Sequence, residues 1–207
     1  RILTAFASGE ADILVGTQMV AKGHHFPGVD LVGVLAADDG VSLPDFRAHE
    51  RSFQLLTQVA GRTGRDGAGS VIFQTWQPDH PVLRHAAAQD ALAFATEELA
   101  VRAEVGYPPY RRMLRLALVS RRLGEVSAAA ATLADLIRAG LRNPAVEVLG
   151  PAPAVFPRLH DRYRYQLLLK GGLSTAEKAW LADCARRMGA RTRGLDVMLD
   201  VDPVGMW

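Results

Sequence analysis

The sequence has little cysteine and no long apolar run. Cys184 is its only cysteine, so no disulfide can form within the chain and cysteine cannot supply a metal cluster. No apolar run reaches the roughly 18 residues that a membrane-spanning helix needs, and no secretory signal opens the chain. These absences predict a cytoplasmic protein with no membrane partner, in which Cys184 is buried in a helix.

A phosphate-cradling loop is also missing. No segment matches G-x-x-x-x-G-K-[ST], the glycine-rich turn and lysine that hold nucleotide phosphates. The six histidines do not stand at metal-ligand spacing, so we expect no metal site in this chain. Since the chain opens at Arg1, inside a helical pattern and without Met, we expect it to be a piece of a longer protein.

Charge is nearly balanced overall but unevenly divided. The net charge is +2, yet residues 1–110 have 8 positive and 13 negative side chains, whereas residues 111–207 have 16 and 9. The basic half is where a polyanion or an acidic peptide is expected to dock. The alternative is a basic, solvated surface. With 49% apolar residues the chain can form one large domain or two small ones.

The segment QVAGRTGR, residues 58–65, has the features of an anion-binding helix end. Gln58, Arg62 and Arg65 are spaced four and then three apart, so on a helix they share one face. Gly61 and Gly64 leave the adjoining surface bare for close approach. Two guanidiniums match phosphate oxygens and can neutralise charge on a transferring phosphoryl group. The alternative is a solvated helix end with two surface arginines.

A second segment has the form of a strand with a ligand loop. Residues 11–17 are an apolar run that ends in Gly16 and Thr17, which predicts a buried parallel strand. Lys22 and Gly23 follow in the loop. Open α/β sheets bind ligands at the carboxyl ends of their strands, so these residues are candidates for a ligand site.

The first 80 residues predict an α/β domain with a parallel sheet. Residues 30–37 and 70–75 are strand patterns, and a helix that begins near Ala48 lies between them. The order matches the later part of a RecA-like lobe. Asp38 and Asp39 follow the first of these strands, where we expect loop or interdomain contacts rather than a magnesium site.

A connecting segment and a second domain follow. Residues 81–105 predict one long helix, which the prolines of Gly106–Tyr110 must end, so we place a connector at 81–110. Residues 111–207 predict a small α+β domain of order β-α-β-β-α-β, with helices on one face of an antiparallel sheet and the other face free. Its pattern includes a short strand that ends at Gly150 before a proline-rich loop, and a helix with a Ser174-x-x-Glu177 capping box.

The most informative stretch of the basic half is RYRYQ, residues 162–166. On a strand, Arg162, Arg164 and Gln166 share one face, while Tyr163 and Tyr165 share the other. These donors are expected to lack a local acidic partner and therefore to bind an anion: DNA phosphates or a peptide with a free carboxylate. A basic edge with two core tyrosines is the alternative.

Several segments together resemble one family. QVAGRTGR resembles motif VI of superfamily 2 helicases, and GTQMVAKGHHFP, residues 16–27, resembles motif V. With LPDFR at 43–47, RYRYQ at 162–166 and LDVDP at 199–203, the order and spacing resemble the PriA family of replication-restart DNA helicases. The resemblance extends through most of the chain. It implies an ATP-dependent 3′-to-5′ DNA helicase of the bacterial cytoplasm, associated with the nucleoid.

The resemblance also implies roles for particular residues. Arg62 would be the arginine finger, Arg65 its companion on the γ-phosphate, and Gln58 would position water or the adjacent phosphate. Candidates for contact with the nucleotide or for coupling to it are Gly16, Thr17, Lys22, Gly23, Gly61 and Gly64. ATP and Mg²⁺ would be held together with a lobe upstream of Arg1, and zinc would be bound only upstream. The chain by itself is therefore expected not to hydrolyse ATP.

The implied partners are forked and single-stranded DNA, primosome proteins and the acidic C-terminal tail of single-strand-binding protein. Arg162 and Gln166 stand where the pocket for that tail would be. Two alternatives stay open: a catalytically silent adaptor for DNA or protein, and another superfamily 2 translocase, such as a RecG-like or annealing enzyme. The segments GHHFP, LPDFRAHER and RYRYQ argue against the second of these.

Overall fold

The structure is a computed structural model, and it describes residues 1–17, 28–61 and 69–206. These residues divide into two compact units. The first unit contains Arg1–Leu43 and Arg47–Glu98, and the second contains Pro44–Phe46 and the chain from Leu99 onward. None of the described helices is long and apolar enough to span a membrane.

The first unit joins a small parallel sheet to helices, as predicted for an α/β lobe. Its elements are α1 (Ile2–Ala7), β1 (Leu31–Val34), α2 (Ala48–Ala60), β2 (Ser70–Phe73), α3 (Pro81–Ala88) and the first half of α4 (Ala91–Val105). β1 pairs in parallel with β2, with Leu31 opposite Ser70 and Val34 opposite Phe73. The core lies on one side of these strands, and its buried members are Ala37, Val41, Phe53, Leu56, Val82, Leu83, Ala86 and Phe94.

The prediction of a buried strand over residues 11–17 is wrong. This run pairs with no strand among the described residues, and the side chains of Ile13 and Val15 are 80% and 86% exposed. A parallel strand is stable when a neighbour satisfies its amides and layers cover its faces. The described residues supply neither to this run, so its apolar character is not matched by burial.

The prediction of one helix over residues 81–105 is also wrong. α3 ends at Ala88, its C-cap residue Gln89 has a φ of 52° in the left-handed region, and α4 starts at Ala91. The Asp90 carboxylate accepts a hydrogen bond from the Ala93 N–H at 2.9 Å, which is the geometry of a helix N-cap. Asp90 therefore starts a second helix. The apolar periodicity continues across this point and so predicted a single helix.

The second unit has the predicted β-α-β-β-α-β order. Its elements after α4 are β3 (Met113–Ser120), α5 (Leu123–Gly140), β4 (Glu147–Leu159), β5 (Arg162–Lys170), α6 (Thr175–Arg191) and β6 (Asp196–Val201). The sheet order is β4-β5-β3-β6 and every neighbouring pair is antiparallel. The Ser174 capping box is confirmed: Ser174 Oγ accepts the Glu177 N–H at 3.2 Å, and the Glu177 carboxylate accepts the Ser174 N–H at 2.7 Å.

Two helices cover one face of this sheet and close a core. Alternate residues of β3 and β5 meet one face of α5 and of α6, which is the period expected for a half-covered antiparallel sheet. Cys184 is buried in this core, as predicted, and burial raises the pKa of its thiol. Fully buried members of the core include Leu114, Leu116, Leu118, Val126, Leu133, Ile137, Leu167, Leu169 and Leu181.

β4 is longer than predicted. The expected end at Gly150 is wrong, because the strand continues through the prolines to Leu159. Its pairing with β5 shifts register twice, between Leu149 and Ala152 and between Pro153 and Arg158. β4 is an edge strand of the sheet, where prolines are tolerated at irregularities of the ladder. The proline pattern that predicts a loop therefore marks the bulged part of a strand.

The second face of the sheet is not free along its whole length, contrary to the prediction. Lys170 on this face donates to the Val105 carbonyl at 2.9 Å, and its ammonium lies 5.2 Å from the centre of the Tyr107 ring. Asp45, in the short segment that precedes α2, is 8% exposed and accepts the Met206 N–H at 3.0 Å. The end of α4 thus covers Lys170, and Asp45 lies close enough to Arg115 of this face to interact with its charge, which strand patterns alone do not indicate.

Candidate functional sites

The first candidate site is at the carboxyl end of α2. Apolar side chains anchor this helix: Phe53 is buried and stacks on Phe94 with ring centres 4.1 Å apart, and Leu56 is 2% exposed. Gln58, on the opposite side of the last turn, is exposed. The helix thus presents the first residue of the QVAGRTGR segment to solvent from a fixed backbone.

Gly61 is the C-cap residue of this helix, and its backbone conformation does not require glycine. Its φ is −72°, which any residue can adopt, and its N–H donates to the Thr57 carbonyl at 2.9 Å. A Cβ built on Gly61 would meet the Thr57 oxygen at 3.4 Å, an ordinary contact. The fold of the described residues therefore does not require glycine here, which leaves close approach of another group as a reason for it.

The structure brings together only part of the predicted nucleotide site. Gln58 and Gly61 lie within four residues of each other at the end of α2, and Gly16 and Thr17 are exposed in irregular backbone. The remaining predicted residues lie outside the described residues: Lys22, Gly23, Arg62, Gly64 and Arg65.

Asp38 has a structural role. Its carboxylate is buried at the carboxyl end of β1 and accepts the Trp76 N–H at 3.3 Å. Among residues 1–17, 28–61 and 69–206, no three His, Cys, Asp or Glu side chains form a cluster that could hold a metal. Asp38 thus links the loops that follow β1 and β2, in keeping with the loop contact expected for it.

The second candidate site is on the face that β5 shares with β3 and β6, opposite the two helices. The predicted division of β5 is confirmed: Tyr163 and Tyr165 pack against the core, while Arg162, Arg164 and Gln166 alternate with them. This alternation follows from the two-residue period of a strand. The three donors therefore lie in a row on one face.

Arg162 has an acidic partner, contrary to the expectation that these donors lack one. Its guanidinium donates to the Asp196 carboxylate of β6 at 2.5 Å and lies 3.5 Å from the Val119 carbonyl. Asp196 is 34 residues away in sequence, and only the pairing of β3 with both β5 and β6 brings it near. The local sequence therefore contained no sign of this ion pair.

Arg164 and Gln166 retain unused hydrogen-bonding capacity. Within the part of the chain that the structure describes, Arg164 has no acid at ion-pair distance. Gln166 is 9% exposed, and its Oε1 has no hydrogen-bond partner among these residues. A buried amide oxygen without a donor is costly unless a ligand or water satisfies it, so this pair is suited to a ligand that both accepts and donates.

The sequence analysis missed Arg115, which lies on the same face in β3. It is 7% exposed and 3.7 Å from Asp200, and burial lowers the pKa of its guanidinium while Asp200 opposes that shift. The available signal was an arginine in the middle of the apolar strand MLRLALVS, at a position that alternates away from the core. Its charge adds to the positive potential beside Arg164, because the two guanidiniums interact.

Comparison with known proteins defines the class first. A family model described as "Helicase conserved C-terminal domain" matches residues 1–67, and one described as "Primosomal protein N C-terminal domain" matches residues 103–204. The chain thus combines a helicase-type lobe with a primosomal C-terminal domain, in the order in which its two folded units occur.

The similar proteins identify the family within this class. The chain is 42% identical over 206 residues to "Replication restart protein PriA" of Bacillus subtilis, and the match covers 98% of this chain and 25% of that protein. Proteins of the same name match at 44% over 170 residues in Synechocystis (82% of this chain, 20% of that protein) and at 40% over 207 residues in Treponema pallidum (100% and 31%). The chain belongs to the PriA family, and it spans about a fifth to a third of the length of these relatives.

Proposed function

We propose that this chain is the C-terminal part of an ATP-dependent DNA helicase that acts in replication restart, with 3′-to-5′ polarity. The observation that carries the proposal is the presence, in one chain, of the helicase-type lobe and the primosomal domain. The relatives' printed name, replication restart protein, supports the biological role. The intact protein would act on forked and single-stranded DNA together with primosome proteins.

The proposed catalytic group is the end of α2 and the residues after it. Arg62 acts as the arginine finger, Arg65 is its companion on the γ-phosphate, and Gln58 positions the attacking water or the adjacent phosphate. Gly61 and Gly64 allow the nucleotide to approach the backbone. The exposure of Gln58 and the freedom of Gly61 from any backbone requirement support this assignment.

The segment of residues 16–23 would couple nucleic acid to the nucleotide. In this proposal Gly16, Thr17, Lys22 and Gly23 lie beside both ligands. ATP with Mg²⁺ binds between this lobe and the other motor lobe of the intact protein, and zinc is bound only by the part of the protein upstream of Arg1. The isolated 207-residue chain is then inactive, because phosphoryl transfer needs groups on both sides of the nucleotide.

The test is ATP hydrolysis by the full-length protein in the presence of DNA. Arg62→Ala should lower the turnover number by roughly 10³ or more, the scale at which arginine fingers act, and should leave DNA binding intact. Arg84→Ala removes an exposed arginine of the first unit and is the matched control. Gln58→Ala is compared with Gln54→Ala, one turn earlier on the same helix. A loss below tenfold for Arg62→Ala would make Arg62 structural.

A second proposal concerns the face of β5. Arg162, Arg164 and Gln166 would bind the acidic C-terminal tail of single-strand-binding protein. The unpartnered Oε1 of Gln166 can accept a peptide N–H, and Arg164 can donate to a carboxylate. Because Asp196 already pairs with Arg162, the tail carboxylate must compete with this acid.

Binding of an acidic tail peptide and of an oligonucleotide to the 207-residue chain separates the two anion hypotheses. Arg162→Ala or Arg164→Ala should reduce the free energy of peptide binding by roughly 1.5–3 kcal/mol, the range for hydrogen bonds to charged groups. The same substitutions should affect DNA binding less. Arg186→Ala, an exposed arginine on α6, is the control. Equal loss for both ligands, with a DNA salt slope smaller by about one, would make these arginines phosphate contacts.

The silent-adaptor alternative predicts a different result. In that case the full-length protein binds the tail peptide or DNA but shows no DNA-stimulated ATP hydrolysis, and Arg62→Ala changes nothing.

A further inference from the structure

One short segment of the chain leaves the first unit and returns to it. The chain belongs to the first unit up to Leu43, packs with the second unit over Pro44–Phe46, and belongs to the first unit again from Arg47. The helix α2 begins at the next residue, Ala48. We call Pro44–Phe46 the strap. It is part of the LPDFR segment, to which the proposed function gives no role.

Asp45 holds the strap by polar interactions in the second unit. Its carboxylate is buried and accepts the Met206 N–H at 3.0 Å. It also lies close enough to Arg115 of β3 to interact with the charge of that guanidinium. Burial of a carboxylate is costly unless donors or cations stabilise it, so these partners define where Asp45 lies. The strap is therefore anchored at its middle residue.

Phe46 adds aromatic contacts to this anchor. Its ring centre lies 5.9 Å from the centre of the Tyr107 ring and 5.8 Å from the Arg102 guanidinium carbon. The Tyr107 ring in turn lies 5.2 Å from the ammonium of Lys170, the last residue of β5. Ring pairs and cation–ring contacts at such distances stabilise beyond the area that they bury. Phe46 is thus connected through Tyr107 to the sheet of the second unit.

α2 connects the strap to the first candidate site. Its 13 residues form a rod about 20 Å long, and a helix transmits a displacement of one end to the other. The strap precedes the first turn of this rod, while Gln58 lies in the last turn and Arg62 follows two residues after the helix ends. A displacement of the strap therefore moves the groups proposed to act on the nucleotide.

Packing in the first unit holds the middle of α2. Phe53 stacks on Phe94, and a Cβ built on Gly40 would lie 2.6 Å from the Ser52 hydroxyl oxygen, so this loop approaches the helix closely. Contacts along one side of a helix still permit shifts of about 1–2 Å. A catalytic group that is misplaced by about 1 Å can lose most of its effect, so what holds the start of α2 affects catalysis.

α4 is the other place at which the chain passes between the units, since the boundary at Glu98 and Leu99 lies inside this helix. The His49 Nδ1 atom at the start of α2 lies 3.1 Å from the Glu98 carboxylate. This contact joins α4 to α2 by side chains, whereas the strap is joined to α2 by the backbone through Arg47. The two routes can therefore be separated by substitution.

From these contacts we infer that Asp45 and Phe46 are positioning residues for ATP hydrolysis. Through the strap, the second unit holds α2 in the orientation that places Gln58 and Arg62 at the nucleotide. The inference rests on the proposed function, because it assigns the strap to the helix that would carry these groups. A structural change in the second unit would then alter the turnover of ATP without any contact between that unit and the nucleotide.

The experiment measures DNA-stimulated ATP hydrolysis by the full-length protein. Phe46→Ala should lower kcat about tenfold and leave KM for ATP within about twofold, because the orientation of α2 is lost while the nucleotide site keeps its groups. Tyr107→Ala should have the same effect, and the double variant should lose no more than either single variant, since both rings act through one contact. Phe46→Tyr keeps the ring and should retain most of the turnover.

Two further variants are controls. Tyr110→Ala removes an exposed ring near Tyr107 and should change kcat by less than about twofold. His49→Ala breaks the side-chain contact between α2 and α4 and leaves the strap intact, so its loss should be much smaller than that of Phe46→Ala. Phe46→Leu keeps an apolar side chain without the ring and replaces Phe46→Ala if that variant does not fold.

Hydrogen exchange of the 207-residue chain gives a measurement that needs no nucleotide. Phe46→Ala should speed exchange of the amides in the last turn of α2 and at Gly61, whose N–H donates to the Thr57 carbonyl. Exchange in β2 and in the core strand β3 should stay unchanged, because the substitution releases the strap and leaves both cores intact.

Unchanged kcat in Phe46→Ala would overturn the inference, whatever the exchange shows. So would additive losses in the double variant, which indicate general destabilisation, or a loss with His49→Ala as large as with Phe46→Ala, which would assign the connection to α4. If Arg62→Ala leaves hydrolysis unchanged, the proposed function fails instead. Exchange in α2 then decides by itself whether the strap holds this helix.

Discussion

The two sheets of this protein are both built from apolar strands, but the strand residues are buried to different extents. In the first unit, Leu31 of β1 and Ile72 of β2 are 58% and 57% exposed, and only alternate residues of these strands reach the core. In the second unit, Leu116, Leu167 and Leu169 are fully buried beneath two helices. The difference teaches that an apolar run indicates a surface that can be covered, while burial depends on whether another layer is present.

The largest expected effect comes from opening the second core. Leu133→Ala on α5, where Leu133 is fully buried, should cost about 2–5 kcal/mol of the free energy of unfolding of the second unit, because it removes apolar contacts and leaves a cavity. Ile72→Ala should change the stability of the first unit by less than about 0.5 kcal/mol. Urea denaturation followed by hydrogen exchange of β5 and β2 peptides separates the units. A cost above 1 kcal/mol for Ile72→Ala would show that this face of β2 is covered in solution.

A smaller loss of stability is expected from a substitution that tests which unit the segment Pro44–Phe46 packs with. Asp45 precedes α2 in sequence, but Pro44–Phe46 group with the second unit, where the Asp45 carboxylate accepts the Met206 N–H. Asp45→Ala should destabilise the second unit by about 1–3 kcal/mol, since a buried donor loses its acceptor. Asp39→Ala removes an exposed acid of the first unit and is the control. If hydrogen exchange quickens in β2 rather than in β3, the assignment of this segment is wrong.

The smallest effect is a pH dependence of the first unit. Burial, with the nearby His49 as the second cause, lowers the pKa of His80, whose Nδ1 accepts the Val82 N–H at the start of α3. The unfolded chain therefore takes up a proton first as pH falls below the ordinary value near 6.5, so this contribution to stability is present above that pH and is lost as pH falls through the folded pKa.

Thermal melting at pH 7.5 and pH 5.5 checks this sign. His80→Asn keeps a side-chain acceptor at the helix start and removes the titration, so it should flatten the pH dependence of the first unit relative to the unaltered chain. The second unit serves as the internal control. A variant that loses as much stability on acidification as the unaltered chain would contradict a role for His80.

Local patterns predicted much of the second unit correctly. The alternation in residues 162–170 separated Tyr163 and Tyr165 from Arg162, Arg164 and Gln166, and the Ser174 capping box marked the start of α6. These signals need only contacts between residues close in sequence, or one face against another. For the same reason the apolar stripe of α2 and the exposure of Gln58 at its end were predictable.

Other features depended on partners that are distant in sequence. The pairing of Arg162 with Asp196, the burial of Arg115 and the cover over Lys170 all arise from strands brought side by side. The split between α3 and α4 was missed for a different reason: periodicity continued across it, and a single cap at Asp90 decided the break.

By itself the sequence determined the order of elements in the second unit, the family and the chemical types at both candidate sites, since periodicity, caps and motif spacing are local properties. Local i, i+3 pairs compensate Arg122 and Arg158, but tertiary structure alone decided that Arg162 has an acidic partner. Arg162 pairs with an acid of β6, whereas Arg121 and Arg193 at the same end of the sheet have no ion-pair partner among the described residues, because an ion pair needs atoms within about 4 Å and strand register sets which side chains come that close.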